Sequence, residues 1–323
     1  MKSNNLNLRQ AKACLILYLK VIKELFIEYI LLDRFNMIST NYQGKIKLFD
    51  LHNDLLTSST ETDKQDFIKK NQKSGYRSIY ALFKGERTLN ETLKIYEKAK
   101  KVGVKYFAFE DACYLDENAD NESIAALFEK IAAINPLYVS LCWNYENAFA
   151  FGAYESVNAG LKSAGVKFIE KLNLKNIPID TAHINEYGFY EILDIAKKTL
   201  CSHTAFDFVF SHRRNINDAQ IKALISRGGI IGLNCAGHFL TEQKFAPKIA
   251  AEAFFKSADF FIQKYGENNL AIGSDFFGSD YLAFKEDYAV FYEELIENFL
   301  KRNISEKFLS RFFYKNAVEF FNL

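Results

Sequence analysis

The chain has 323 residues, 49% of them hydrophobic and 25% charged, a globular balance that excludes a disordered or collagen-like protein. Its 41 basic and 40 acidic side chains leave a net charge of +1, so charge alone draws it neither to nucleic acid nor to an acidic membrane. Five cysteines with no Cys-x-x-Cys pair exclude a zinc ribbon or a thioredoxin-like motif and suit a reducing cytoplasm.

Residues 11–32 are mostly apolar but are interrupted by Lys20, Lys23, Glu24 and Glu28. A membrane span needs roughly 20 predominantly apolar residues, so four charges on one helical face predict an amphipathic helix instead. We read 1–36 as an N-terminal helical extension and 37–323 as a single metallohydrolase barrel domain. The extension has three readings: a helix docked on the domain, a stretch upstream of a start at Met37, or a peripheral membrane anchor.

Eight short runs rich in β-branched and aromatic residues follow, at 46–51, 77–83, 104–110, 137–143, 177–181, 199–203, 229–235 and 270–275. Charged amphipathic stretches separate them, at 87–102, 122–134, 156–173, 187–198, 217–227 and 248–264, with 285–302 and 306–321 as closing helices. Strand and helix in alternation imply parallel strands with crossover helices. Eight such units predict an α/β fold, a (β/α)8 TIM-type barrel with an extra N-terminal amphipathic helix. An open doubly wound sheet is the alternative, but no Gly-x-Gly-x-x-Gly follows any strand.

In such barrels chemistry sits where the strands end. The first run ends in Asp50-Leu51-His52-Asn53-Asp54, the third at Glu110, the fifth runs into Asp180-Thr181-Ala182-His183, the sixth into Ser202-His203 and the eighth into Ser274-Asp275. His52 and Asp54 are two apart, so on an extended strand end they point the same way and can meet one metal ion. A buried carboxylate at Glu110 is costly unless paired, and its two oxygens can bridge two ions, with His183 and His203 completing the second. Each residue alone has an ordinary reading as a polar pair, a salt bridge or a bonded core histidine. Gathered on one rim, they predict a metal site suited to zinc and open to manganese, iron or nickel.

Several stretches carry a family likeness: F-D-L-H-N-D-L at 49–55, F-E at 109–110, the long segment 160–183, S-H-T at 202–204, R-R-N-I-N-D at 213–218, G-G-I-I-G-L-N at 228–234 and I-G-S-D-F at 272–276. Through them the chain resembles the membrane dipeptidase (renal dipeptidase) family of zinc peptidases, within the amidohydrolase-like barrels, over about 46–323. The resemblance implies two Zn2+ ions, one on His52, Asp54 and Glu110, the other on Glu110, His183 and His203. It implies a hydroxide bridging them as nucleophile, Asp275 as the acid/base residue, and Arg214 as the cation that holds a free C-terminal carboxylate. Arg213 stands next to it should the register slip.

The resemblance also has departures. The family usually places a histidine just after its fourth strand, where Trp143 stands here. An indole has an N–H but no basic nitrogen, which predicts slow dipeptide hydrolysis and a bias towards apolar or aromatic side chains. The spacing from His52 to Glu110 is short, predicting trimmed loops and a more open pocket. Phe277 takes a place where the family often has Asp. His212 and His238 match no ligand position and are expected at the surface or behind the site. The expected function is a zinc-dependent dipeptidase acting on a small peptide or amide substrate, with no nucleic-acid partner and a homodimer left open. Its alternatives are a binuclear-metal hydrolase of an N-acyl amino acid, lactone or phosphoester, or a catalytically silent metal-binding homologue.

Overall fold

The computed structural model describes residues 47–59 and 63–323, together with Lys20 and Lys23. Those two lysines apart, the extension expected over 1–36 and its boundary lie outside the described residues.

Eight parallel strands close into a barrel in chain order: β1 (Phe49–Asn53), β2 (Arg77–Phe83), β3 (Phe107–Glu110), β4 (Val139–Ser140), β5 (Ile179–Asp180), β6 (Thr199–Thr204), β7 (Ile230–Leu233) and β8 (Leu270–Ile272). Closure is direct, since Asp50 of β1 pairs with Ile272 of β8. The (β/α)8 reading is therefore correct. Most strands are shorter than their apolar runs, whereas β2 matches its run and β6 exceeds it by one residue. Val139 and Ser140 alone form β4, so Trp143 stands in the loop beyond it.

The crossover helices are α1 (Lys64–Lys73), α2 (Leu89–Lys101), α3 (Asn121–Ala132), α4 (Ser163–Leu174), α5 (Glu186–Ile195), α6 (Asp218–Ser226) and α7 (Pro247–Tyr265). The chain closes with α8 (Tyr288–Lys301), α9 (Glu306–Ser310), a π turn at Arg311–Lys315 and α10 (Asn316–Phe321). The sequence marks the starts. Thr88 and Glu91 form a capping box on α2, and Asn217 and Gln220 another on α6, each satisfying two N–H groups that a helix start leaves bare. The predicted stretches do not include α1, which buries only Ile68 and Asn71 and so has almost no apolar stripe. The stretch 156–173 begins too early, because 156–162 is loop and α4 starts at Ser163.

Alternation along the strands sorts side chains into two cores. Phe49, Leu51, Ile79, Ala108, Leu200, Ile230 and Ala271 fill the barrel interior with Tyr138, and Ala317 and Phe320 pack against them. The opposite strand faces pack against the helices in one large cluster.

Two strands break the alternation. Between Asp50 and Asn53 the β1–β2 register advances three residues on β1 against two on β2, Ser78 to Tyr80. Between Cys201 and Thr204 on β6 it advances three against two on β7, Ile231 to Leu233. Each is a bulge with one extra residue, which re-aims the side chains that follow. His52 lies within the first and His203 within the second.

The sheet leaves no room around the second bulge. A Cβ on Gly232 would stand 1.8 Å from the Ser202 carbonyl oxygen, and one on Gly273 would stand 2.0 Å from the same atom. Forcing a methyl into such packing typically costs about 1–3 kcal/mol or more. Gly232→Ala should therefore lower the urea midpoint with little change in denaturant slope; an unchanged midpoint would mean that β6 and β7 can separate freely here.

Candidate metal centre

The bulges and strand ends point six polar side chains into one small volume at the C-terminal mouth of the barrel. His52 comes from β1 and Asp54 from just beyond it, Glu110 ends β3, and His203 lies in β6. His183 and Asp275 each lie three residues past their strand, and both have left-handed backbone, with φ of 69° and 60°. That conformation is uncommon for residues with a Cβ and persists only where the surroundings impose it. All six are buried.

Around Glu110 the ligand atoms form two groups. His52 Nε2 is 3.1 Å from Asp54 Oδ2 and 3.5 Å from Glu110 Oε2. On the other oxygen, Glu110 Oε1 is 3.0 Å from His183 Nε2 and 3.8 Å from His203 Nε2. Those two nitrogens are 2.9 Å apart. Two ligands ~2.0–2.1 Å from one tetrahedral ion stand about 3.3 Å apart, and these spacings bracket that value. Asp275 stands closer in than the sequence suggests: with His52 and Asp54 it forms a further group whose ligand atoms lie within 4.8 Å of one another.

The far side of each imidazole decides what faces the centre. Tyr138 donates its hydroxyl hydrogen to Leu51 O, so the 2.8 Å contact with His52 Nδ1 makes that nitrogen the donor. Ser202 Oγ donates to Asp180 Oδ2 at 2.6 Å, so His203 Nδ1–H donates to Ser202 Oγ at 2.8 Å. His183 Nδ1 donates to Asn144 Oδ1 at 2.8 Å. With every Nδ1 carrying a proton, each Nε2 faces the centre, and the neutral His183 and His203 turn lone pairs inwards there. Two lone pairs at 2.9 Å repel unless a cation or a proton lies between them. Asp54 Oδ1 is buried and has no hydrogen-bond partner, a costly state that a cation would relieve. The donor set thus fits divalent metal.

The electrostatics agree. Burial, then the Asp54 carboxylate, pushes Glu110 up to about 8 and Asp275 up to about 7. Burial, reinforced by positive charge nearby, holds His183 and His203 well below the usual imidazole range, so both are neutral. His52 goes the other way: burial opposes its charge, but Tyr138, Asp54 and Glu110 outweigh it and hold the ring well above the ordinary value. The charged ring stands against the Asp54 and Glu110 carboxylates.

Behind the centre lies a repeated support. Asp180 on β5 accepts from Ser202 N at 2.8 Å and from its Oγ, fixing the residue before His203. Asp50 on β1 accepts from Ser274 N at 2.8 Å and from its Oγ at 2.5 Å, fixing the residue before Asp275. Asn234 donates to Asp275 Oδ2 at 3.0 Å. These supporting roles were missed in the sequence, as were those of Tyr138 and Asn144. The only signal was that Asp50 and Asp180 precede the His52 and His183 ends, and that Ser stands before both His203 and Asp275.

Arg214 is buried, with Nη2 donating to His203 O at 3.3 Å, its guanidinium over the Phe239 ring, and Nε without a partner. Among the described residues it has no carboxylate counter-ion. Arg213 instead lies over Tyr154 and donates to its carbonyl, so Arg214 is the inward residue of the pair. His212 is half-buried and accepts from Arg214 N, with burial lowering it to about 4. His238 pairs with Asp280 at the surface. Trp143 flanks His183, with ring centroids 5.8 Å apart.

The family model described as membrane dipeptidase (peptidase family M19) matches residues 121–322. An uncharacterized protein of the pqqA 5′ region in Klebsiella pneumoniae is 29% identical over 144 residues, covering 42% of this chain and 53% of that protein. An uncharacterized dipeptidase of Schizosaccharomyces pombe is 24% identical over 161 residues, 47% of this chain and 38% of that one. The chain spans about half the length, or less, of these curated relatives. Among solved structures, a metallo peptidase from Rhodobacter sphaeroides, liganded with a phosphinate mimic of the dipeptide L-Ala-D-Ala, superposes with TM-score 0.70 at 17% identity, over 86% of this chain and 99% of that one.

Outer partners of metal-bound histidines typically affect affinity 10–100-fold. Tyr138→Phe frees His52 Nδ1 of its acceptor and should weaken zinc binding by about that factor, read by calorimetric titration of the metal-stripped protein. Affinity equal to wild type would show that the tyrosine does not set the ring's tautomer.

Proposed function

The chain belongs to the membrane dipeptidase family (peptidase family M19), and we propose that it is a zinc-dependent dipeptidase acting on short peptides with a free C-terminal carboxylate. The observation that carries this reading is the buried convergence of three Nε2 atoms on a two-oxygen Glu110, beside an unpaired Asp54 oxygen and a guanidinium that has no counter-ion among the described residues. His52, Asp54 and Glu110 would hold one ion, and Glu110, His183 and His203 a second. When bound, the ions supply Lewis acidity and an activated water at neutral pH.

The chain's own residues do the rest. Arg214 is fixed by His203 O and Phe239, and its fork suits a carboxylate bidentately. Binding that group sets the peptide's direction across the mouth. Asp275 is held by Asn234 at Oδ2. Its carboxylate stands beside His52 and Asp54, placed to take and return a proton as a general acid/base does. It takes a proton from the attacking water and gives it to the leaving amine. The four described cysteines are buried thiols, which suits a reducing cytoplasm. Among the described residues no helix is long and apolar enough to cross a membrane.

Two measurements test this reading. Asp275→Asn should retain metal by elemental analysis and lose ~10²–10⁴-fold in kcat; loss of the metal instead would make Asp275 a ligand, as its place beside His52 and Asp54 allows. Arg214→Gln should reduce kcat/KM on free dipeptides by ~2–5 kcal/mol of lost pairing and leave C-terminally amidated ones unaffected. Equal rates on free and amidated substrates in the wild type would remove the carboxylate clamp.

A further inference from the structure

The rim beside the polar centre carries a run of aromatic rings that the hydrolytic chemistry does not use. Trp143, the chain's single tryptophan, has its ring centroid 5.4 Å from Phe83 as well as 5.8 Å from His183. Tyr145 follows 6.4 Å from Trp143. Trp143 is 38% exposed and Tyr145 58%. Large rings grouped in the open beside a buried site mark a surface built to be covered.

The loop beneath this surface is fixed to the centre. Asn144, next to Trp143, holds His183 Nδ1, while Ala153 N donates to His183 O at 2.7 Å and Tyr154 N to Asn144 O at 2.9 Å. A Cβ on Gly152 would stand 2.3 Å from the Trp143 carbonyl oxygen, so only glycine lets the loop close this tightly under the indole. The backbone that carries the rings is therefore held in place before anything binds, which lowers the ordering entropy of covering them.

Placement around the barrel gives the surface an occupant. Phe83 ends β2 and Trp143 follows β4, flanking Glu110 at the end of β3; Arg214 follows β6, on the other side of the centre. We propose that Phe83 and Trp143 form the wall against which the substrate's N-terminal side chain packs, and that they select dipeptides whose first residue is aromatic or large and apolar. This rests on the dipeptidase reading, because a peptide held by its carboxylate at Arg214 and crossing the centre presents its first residue to the β2–β4 sector. The indole has no basic nitrogen to offer, so the wall discriminates by apolar area and ring geometry.

Because Trp143 is the single tryptophan, its emission reports occupancy without any turnover. Metal-loaded Asp275→Asn protein is titrated with phenylalanyl-alanine, alanyl-phenylalanine and alanyl-alanine. Phenylalanyl-alanine should shift the emission saturably, at about tenfold lower concentration than the other two. In the kinetics, wild-type kcat/KM should favour phenylalanyl-alanine over alanyl-alanine by about tenfold. That ratio should collapse towards one in Trp143→Ala and be largely kept in Trp143→Phe. Turnover of all three peptides with no preference, or a preference for alanyl-phenylalanine, overturns the wall and leaves the dipeptidase reading intact. A saturable emission shift with phenylalanyl-alanine but no hydrolysis of any dipeptide by the wild type overturns the dipeptidase reading and supports an aromatic site serving another substrate.

Discussion

Three imidazole nitrogens and three carboxylates share one buried volume, and such a cluster is stable only if positive charge sits among them. The 2.9 Å approach of His183 Nε2 to His203 Nε2 is unfavourable between lone pairs, and the unpaired Asp54 oxygen is unfavourable in a buried setting. Most of the neighbouring polar structure follows from that constraint. Each ring is turned the same way because each Nδ1 is occupied from behind, by Tyr138, Asn144 or Ser202. The protein thereby fixes where a cation must go before one arrives.

Holding such a cluster requires stiff supports, and the fold builds the same one twice. On neighbouring strands, β5 with β6 and β1 with β8, a buried aspartate grips the backbone N–H and hydroxyl of a serine next to a site residue. Asp50 extends the grip outwards through Tyr288 of α8, whose hydroxyl donates to it at 2.5 Å while accepting from Asn53. The several donors to these aspartates offset part of the cost of burial, although burial still pushes Asp50 up to about 6 and raises Asp180. Helix packing and site geometry are thus joined through hydrogen bonds as well as apolar contact.

The aromatic rim and the polar centre also meet in one loop. Trp143 and Asn144 are adjacent, yet one faces outwards to Phe83 and Tyr145 while the other orients His183. A change in this loop would disturb the orientation of His183 and the ring cluster together.

The sequence by itself determined the barrel. Strands buried on both faces read as continuous apolar runs, and eight of them separated by amphipathic stretches leave few other closed solutions. It also marked the rim, because His52, Asp54, Glu110, His183, His203 and Asp275 are polar residues at the ends of apolar strands, where burial without a partner is costly. What only the tertiary structure decided is how those residues face. The His52-x-Asp54 spacing suggested side chains aligned by simple alternation, but an extra residue in β1 and another in β6 re-aim His52 and His203. Bulges depend on pairing with the neighbouring strand, which local sequence does not encode. The same holds for Tyr138 reaching His52 across 86 positions and Ser274 reaching Asp50 across 224. Helix α1 was invisible for the opposite reason: it buries so little that it lacks the periodic apolar signal by which helices are read. Periodicity records which face of an element is buried, whereas bond partners and side-chain direction are set by closure of the barrel.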